Sequence, residues 1–435
     1  MKKVLLVNPY IYDFKAYDEW MRPLGLFRLA YELQRFGIEV SFLDALNRFT
    51  WENGSSKEKA FGTGNYQVLE MEKPTIYKTV PRRYKKYGIS DSLFLDQLEK
   101  LGPIDLVAVT SKMTYWYPGV QHTIKLIRQV YKKVKIVLGG TYATLCSDHA
   151  QENSGADLIF KGPITNQILK QILNLLELNP QQQIEISKFN LHFPIENLPY
   201  GVLCTSLGCP FKCTYCASQI LQPDYQKIPL ETVFSHFMYQ YQKGARHFAF
   251  YDDSLLLDFE NNLFIFLKEL KKQNTCDVTF HVPNGVHARY ITKNVAQVMM
   301  DSGFKTIRIG LESIDPFIQK KTGGKTTTKQ FENAIFFLNK YNKDNAKIGA
   351  YLLVGLDDFN FSYLKNEILW LKSKGVYPNL LNISPVPSTE LYQQYVKDFP
   401  IIEKEPLAHN DLYFNSLRIS DFYTKYQELK NIINN

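Results

Sequence analysis

Short apolar runs rich in β-branched residues alternate with stretches whose apolar residues recur at helical spacing. VLLVN (Val4–Asn8) precedes LGLFRLAYELQRFG, and IEVSFLD (Ile38–Asp44) follows. Then come DLVAVTS (Asp105–Ser111), a helical stretch over 119–132, VKIVLGG (Val134–Gly140), another helix, DLIFKG (Asp157–Gly162) and a helix ending near Leu178. Strands apolar along their whole length, each followed by a helix, predict a parallel sheet covered on both faces. Five such units predict a doubly wound, Rossmann-like α/β domain over residues 1–178. The pattern lapses between Arg48 and Ser90, where WENGSSKEKAFGTGNY and PRRYKKYG are rich in Gly, Lys, Arg and Tyr. This insert, 48–90, reads as a surface excursion, and its length fits a segment that touches substrate or covers a site.

NPQQQIEISKFNLHFPIENLP, within 179–199, is polar, aperiodic and punctuated by proline, as a linker is. The alternation then restarts, with strand candidates VLCTS, RHFAFYDD, DVTFHVPN, KTIRIGLES, KIGAYLLVG and NLLNIS. Six βα repeats over 200–395 predict a partial (βα)6 TIM-like barrel, with its chemistry at the C-terminal strand ends. A short helical tail, 396–435, closes the chain.

Composition narrows the class. Of 435 residues, 45% are apolar and 22% charged, ordinary for a globular protein. No apolar run approaches the ~18 residues needed to span a bilayer, and MKKVLLVNPY lacks a cleavage pattern, so a buried first strand is expected rather than a signal peptide. Six cysteines are too few for a disulfide scaffold and fit a reducing, cytoplasmic setting. The net charge of +8 is moderate for this length and does not call for a nucleic-acid partner.

Three of the cysteines stand together. GCPFKCTYCASQ places Cys209, Cys213 and Cys216 at spacing C-x₃-C-x₂-C, just after the first barrel strand. A structural zinc normally takes four ligands, and so do most cubane clusters. Three thiolates leave a coordination position open for a substrate. Cys204, inside the apolar run VLCTS, is either a fourth ligand that closes the site or a buried thiol of the core.

GCPFKCTYC resembles the cluster loop of the radical S-adenosylmethionine superfamily. The resemblance implies that Cys209, Cys213 and Cys216 hold a [4Fe–4S] cluster. It also implies that S-adenosylmethionine chelates the fourth iron and is cleaved to a 5′-deoxyadenosyl radical. Tyr215 matches the aromatic position beside the adenine. FYDDSLL ends the second strand, where the family receives the methionyl amine, so Asp252 or Asp253 is a candidate there; a carboxylate suits an ammonium, although Asp before a helix is also an ordinary cap. Asn284 in VPNGVHARY is a candidate for the ribose or for substrate, though Asn-Gly is equally a turn signal; His287 and Arg289 read as structural or exposed. Arg308 and Glu312 in IRIGLES lie at even spacing, hence on one strand face, either as a buried ion pair or as contacts to the carboxylate or ribose of the cofactor. VGLDD and SPVPSTELY end the last two strands; Ser388 stands where the family commonly has glycine.

The front domain resembles the cobalamin-binding domain that precedes many of these barrels. VNPY, PLGLFRLAYEL, DLVAVTS, VLGGTYAT and GADLIFKG carry the match. The resemblance implies a cobalamin site along Thr110, Ser111, Gly139, Gly140, Thr141 and Gly162. Asp-x-His-x-x-Gly is absent, so no histidine is set up as a lower cobalt ligand, and Gly162-Pro163-Ile164 departs from the usual Gly-Glu-Gly-Glu.

Together these features resemble the cobalamin-dependent radical S-adenosylmethionine methyltransferases. Methyl transfer to an unactivated carbon or to phosphorus is the expected activity. A radical cyclisation, rearrangement or oxidation without methyl transfer is the alternative enzyme. A zinc or iron–sulfur module docking RNA or protein is the non-enzymatic one. The resemblance implies an electron donor of flavodoxin or ferredoxin type. The 28 Tyr and 29 Phe fit a small-molecule or lipid substrate without naming it.

Overall fold

The apolar runs of the N-terminal half become strands. In chain order these are β1 (Lys3–Asn8), β2 (Ile11–Asp13), β3 (Glu39–Asp44), β4 (Val68–Met71), β5 (Tyr84–Tyr87), β6 (Leu106–Val109), β7 (Lys135–Leu138) and β8 (Leu158–Ile159). Five pair in parallel in the order β3-β1-β6-β7-β8. Val4 to Val7 and Leu106 to Val109 are all buried, because helices such as Leu24–Arg35 and Tyr117–Val130 bury apolar stripes against the sheet. The strand order reverses between β1 and β6, and their carboxyl ends form the crevice where sheets of this kind take ligands.

This computed structural model describes residues 1–50, 59–178, 184–195, 198–273, 275, 277–356 and 360–435. The chain divides into two compact units, Met1–Glu196 with Pro400–His409, and Asn197–Phe399 with Asn410–Asn435.

Two expectations need correction in the first unit. The insert is more than a surface excursion. Its strands β4 and β5 join β2 in an antiparallel sheet of order β2-β5-β4. Tyr77 and Tyr84 are buried against Phe14, with ring centroids 4.9 and 5.6 Å away. Buried Lys86 pairs with Asp91 at 2.5 Å, at the start of the helix Asp91–Lys100. Residues 51–58 of the insert lie outside the described residues. The tail, too, is divided. Its segment Pro400–His409 is part of the first unit. Tyr77 donates its hydroxyl to Leu407 O at 2.7 Å and Tyr117 to Glu405 at 3.1 Å. His409, 1% exposed, shares hydrogen bonds with Thr114 Oγ1 at 2.9 Å and Ile402 O at 2.6 Å. Of the expected linker, residues 179–183 and 196–197 lie outside the described residues. The stretch 184–195 is seated on the first unit through His192 N to Phe27 O and Ser187 N to Glu32.

The second unit holds β9 (Gly201–Leu203), β10 (Ser206–Leu207), β11 (Gln226–Lys227), β12 (His247–Phe250), β13 (Thr279–His287), β14 (Phe304–Glu312), β15 (Lys347–Val354) and β16 (Tyr377–Asn382). Six form a parallel sheet in the order β16-β15-β14-β13-β12-β9. Apart from the β10–β11 hairpin, spatial and sequence order coincide, as in a partial barrel wound one way. Helices between strands start on side-chain caps, such as Thr292 and the Thr327–Gln330 capping box. Among the described residues no helix is long and apolar enough to cross a membrane.

Candidate functional site at the carboxyl end of the barrel

The cysteine loop leaves the sheet just after β9, at the carboxyl end of the barrel. Its base is fixed by the antiparallel pair β10–β11. Its middle is fixed by Leu391 N donating to Thr214 O at 2.9 Å and by Thr214 Oγ1 donating to Lys321 O at 3.2 Å. Cys216 N closes a turn onto Cys213 O at 3.1 Å. Cys209 is buried, Cys213 half-buried and Cys216 exposed, and all three are free thiols. Burial pushes the Cys209 thiol up and Cys213 to about 11, while the Lys325 ammonium pulls both back. Among the described residues no three His, Cys, Asp or Glu side chains converge as ligands of one metal ion.

The structure separates Asp252 from Asp253. Asp252, 3% exposed, accepts from the backbone N–H and the hydroxyl of both Thr205 and Ser206, at 2.6–3.0 Å. Burial lifts its carboxyl to about 6 against those hydrogen bonds. It ties the end of β12 to the start of the cysteine loop and, contrary to its place among the cofactor candidates, is committed within the protein. Asp253 is half-buried, hydrogen-bonded to Ser218, and acts electrostatically on Cys209.

Glu312 ends β14 with φ +69°, beside a register irregularity after Gly310. It forms an ion pair with Lys325. Lys325 Nζ also donates to Tyr215 OH at 3.0 Å. Arg308, expected as a partner or neighbour of Glu312, donates to Tyr351 OH at 3.0 Å from a position over that ring. Lys325 was not singled out from the sequence, because it lies in KKTGGKTTTK, a run that reads as a solvated loop. Exposed Asn284 donates to Tyr251 O at 2.9 Å and sits in a bulge of β13. His287, 5% exposed, packs on Phe211 of the cysteine loop at 4.5 Å. Burial and two nearby cations lower it to about 3. Ser388 takes φ +68°, the backbone region where glycine is favoured. Asp357 and Asp358 of VGLDD lie outside the described residues.

In the first unit Thr110, Ser111, Gly139, Gly140 and Thr141 meet at the carboxyl ends of β6 and β7. Ser111 is committed internally: its hydroxyl donates to Gly139 O at 2.7 Å and accepts from Ala143 N at 3.2 Å. Gly140, at φ +94°, is required by the protein itself, since a Cβ there would lie 2.2 Å from Ser111 O. Thr141 N donates to Ser111 O, and Gly162 N to Thr144 Oγ1 at 2.9 Å. A Cβ on Gly139 would meet only Phe160 O, at 4.0 Å. At the neighbouring end of β1, buried Asn8 donates to Asp44 at 2.7 Å and its Oδ1 has no hydrogen-bond partner.

Residues 203–371 match the family model described as the radical SAM superfamily, and the three-thiol loop falls inside that span. The chain therefore carries a radical SAM domain over this span. An uncharacterized methyltransferase of Pyrococcus horikoshii is 24% identical over 68% of this chain and 70% of its own length. Cytidylyl-2-hydroxyethylphosphonate methyltransferase of Streptomyces wedmorensis is 25% identical over 37% of this chain and 26% of its own. Among solved structures, the radical S-adenosylmethionine methyltransferase TsrM of Kitasatospora setae superposes with a TM-score of 0.66 at 14% identity, covering 91% of this chain and 77% of that one. The cobalamin-dependent S-adenosylmethionine radical enzyme OxsB gives 0.56 at 14%, covering 93% and 56%. At these identities the likeness is one of fold.

Proposed function

We propose that this chain is a cobalamin-dependent radical S-adenosylmethionine methyltransferase that binds a [4Fe–4S] cluster through Cys209, Cys213 and Cys216. The observation that carries the reading is the anchored loop of three free thiols at the carboxyl end of a radical SAM barrel. Three thiols are one ligand fewer than a structural zinc or a cubane cluster usually takes, which leaves a coordination position for S-adenosylmethionine. With cobalamin and S-adenosylmethionine bound, such a site supplies a methyl carrier and a 5′-deoxyadenosyl radical. The chain's own residues do the placing. Asp253, half-buried and hydrogen-bonded to Ser218 just past the third cysteine, is suited to receive the methionyl ammonium. Asp252 keeps the loop on its strand. Tyr215, held by Lys325, offers a ring beside the third thiolate, and Asn284 and Arg308 offer polar atoms to ribose or substrate. In the first unit, open Gly139, half-buried Thr110, Thr141 and the unpartnered Asn8 oxygen fit a large ligand with amide and hydroxyl groups.

Methyl transfer is supported by the methyltransferase names of both curated relatives and of TsrM. The substrate class is a small molecule or lipid, the reductant a one-electron donor of flavodoxin or ferredoxin type, and the setting the cytoplasm. A radical reaction without methyl transfer is the second reading, favoured by the likeness to OxsB, described simply as a radical enzyme.

Anaerobic purification after reconstitution with iron, sulfide and hydroxocobalamin tests this, with iron, zinc and cobalt counted per chain. About four irons and an equivalent of cobalt are expected, with iron lost in Cys213→Ala and kept in Cys204→Ala. Iron without cobalt would leave the second reading. Zinc in place of the cluster would sink both.

A further inference from the structure

A largely buried lysine side chain, Lys325, faces the cysteine loop, and the surrounding chain is shaped to keep it there. The Lys325 side chain is 16% exposed and forms an ion pair with Glu312. Its ammonium donates to the Tyr215 hydroxyl at 3.0 Å, one residue before Cys216. Gly310 opposite lacks the Cβ that would lie 2.7 Å from Nζ and 2.8 Å from Cε. Arg289 fastens the backbone on either side, with Nε donating to Lys325 O at 2.6 Å and NH2 to Gly324 O at 2.5 Å. The same guanidinium lies over Phe211 of the cysteine loop, 5.2 Å from its centroid. The turn that carries Lys325 lies against the cysteine loop: a Cβ on Gly323 would come within 3.0 Å of Cys213 Cα and of Lys212 O. A buried ammonium is costly unless it is paired. A single carboxylate would pair it, and the additional bond to Tyr215 directs it at the loop.

We propose that Lys325 is a positioning residue that supplies the counter-charge of the cluster, favouring its reduced state and fixing the Tyr215 ring beside it. The inference rests on the cluster reading given above. Three thiolates on a [4Fe–4S] core carry a net negative charge, and accepting one electron from a one-electron donor makes it more negative by one. A fixed ammonium in a poorly screened site stabilises the more negative state more, so it raises the reduction potential. Glu312 works against it. Removing the cation and removing its partner must therefore move the potential in opposite directions, which a merely structural role would not do.

The test is an anaerobic redox titration of the reconstituted full chain followed by electron paramagnetic resonance, with iron counted and without added S-adenosylmethionine. Lys325→Met is expected to keep its iron and lower the reduced-to-oxidised ratio at fixed potential at least tenfold, which is a 59 mV fall for one electron. Lys325→Arg is expected to stay near wild type, and Glu312→Gln to shift the ratio upward. A Lys325→Met variant that folds and titrates at the wild-type potential overturns the proposal. So does one that folds but cannot hold iron. Should Lys325→Met not fold, Glu312→Gln decides, and an unmoved or lowered potential overturns it. Failure of the wild type to load iron is a separate result and sinks the cluster reading instead.

Discussion

Asp252 accepts hydrogen bonds from Thr205 and Ser206, whereas its neighbour Asp253 is hydrogen-bonded to Ser218, two residues past Cys216. The difference follows from the end of β12, where one side chain is buried and the next half-buried. Asp252→Ala strands several buried donors, each worth about 1–3 kcal/mol. Denaturant unfolding should show a loss of about 3 kcal/mol or more. Asp253→Asn should leave stability within about 1 kcal/mol, as partly exposed substitutions do. It should weaken S-adenosylmethionine binding to the cluster-loaded chain about tenfold, by removing a charge-assisted bond, read by equilibrium dialysis. The reverse pattern would exchange the two roles. From FYDDSLL alone the pair could not be divided, because spacing does not say which carboxylate the preceding strand consumes. The three cysteines were legible because sulfur at that spacing has few other uses. Lys325 was not, since its partners Tyr215 and Glu312 are distant in sequence and only the fold brings them together.

At the scale of elements, the parallel strands of both units were readable as apolar runs between helices, and they pair as expected. The small sheet β2-β5-β4 was not. Its strands are three or four residues long, and YKKY carries two lysines that the pattern assigns to solvent. Pairing, rather than propensity, makes them strands. The link between β14 and the helix Phe361–Ser373 was equally hidden. Glu367, 2% exposed, accepts from Ser313 Oγ at 2.5 Å and Ile314 N at 2.7 Å, just past Glu312. Burial raises its carboxyl from 4.5 to about 7. Because the folded state holds this proton more tightly, the stabilisation is complete below 4.5 and is lost as pH rises to about 7. At 1.36 kcal/mol per unit, wild type should lose on the order of 3 kcal/mol relative to Glu367→Gln across that window, and stay parallel to it above. Unfolding curves at stepped pH check this; a constant difference between the two proteins would refute the buried neutral acid.

At the scale of the whole molecule, the succession of a doubly wound sheet and a partial barrel was legible from periodicity. The path of the chain between them was not. After Phe399 it goes back to the first unit for Pro400–His409 and then rejoins the second. Nothing in IIEKEPLAH announces this: it buries Ile402, Leu407 and Ala408 without a helical or strand period long enough to read, and its polar bonds go to Tyr77, Thr114 and Tyr117. His409→Ala removes a side chain that is 1% exposed and bonded at both ring nitrogens. A cost of about 2 kcal/mol is expected. Hydrogen exchange should quicken in the helix Tyr117–Val130 and stay unchanged in β12 to β15. Equal effects everywhere would show that the segment does not stabilise the first unit selectively.

That return path also sets an order of events during synthesis. Units that are continuous in sequence can finish folding as they leave the ribosome, the N-terminal one first. Here the N-terminal unit must wait for a segment translated only after the whole stretch Asn197–Phe399. The nascent chain therefore carries an incomplete sheet domain, with Tyr77 and Tyr117 lacking the partners that Leu407 and Glu405 provide, until the barrel has been made.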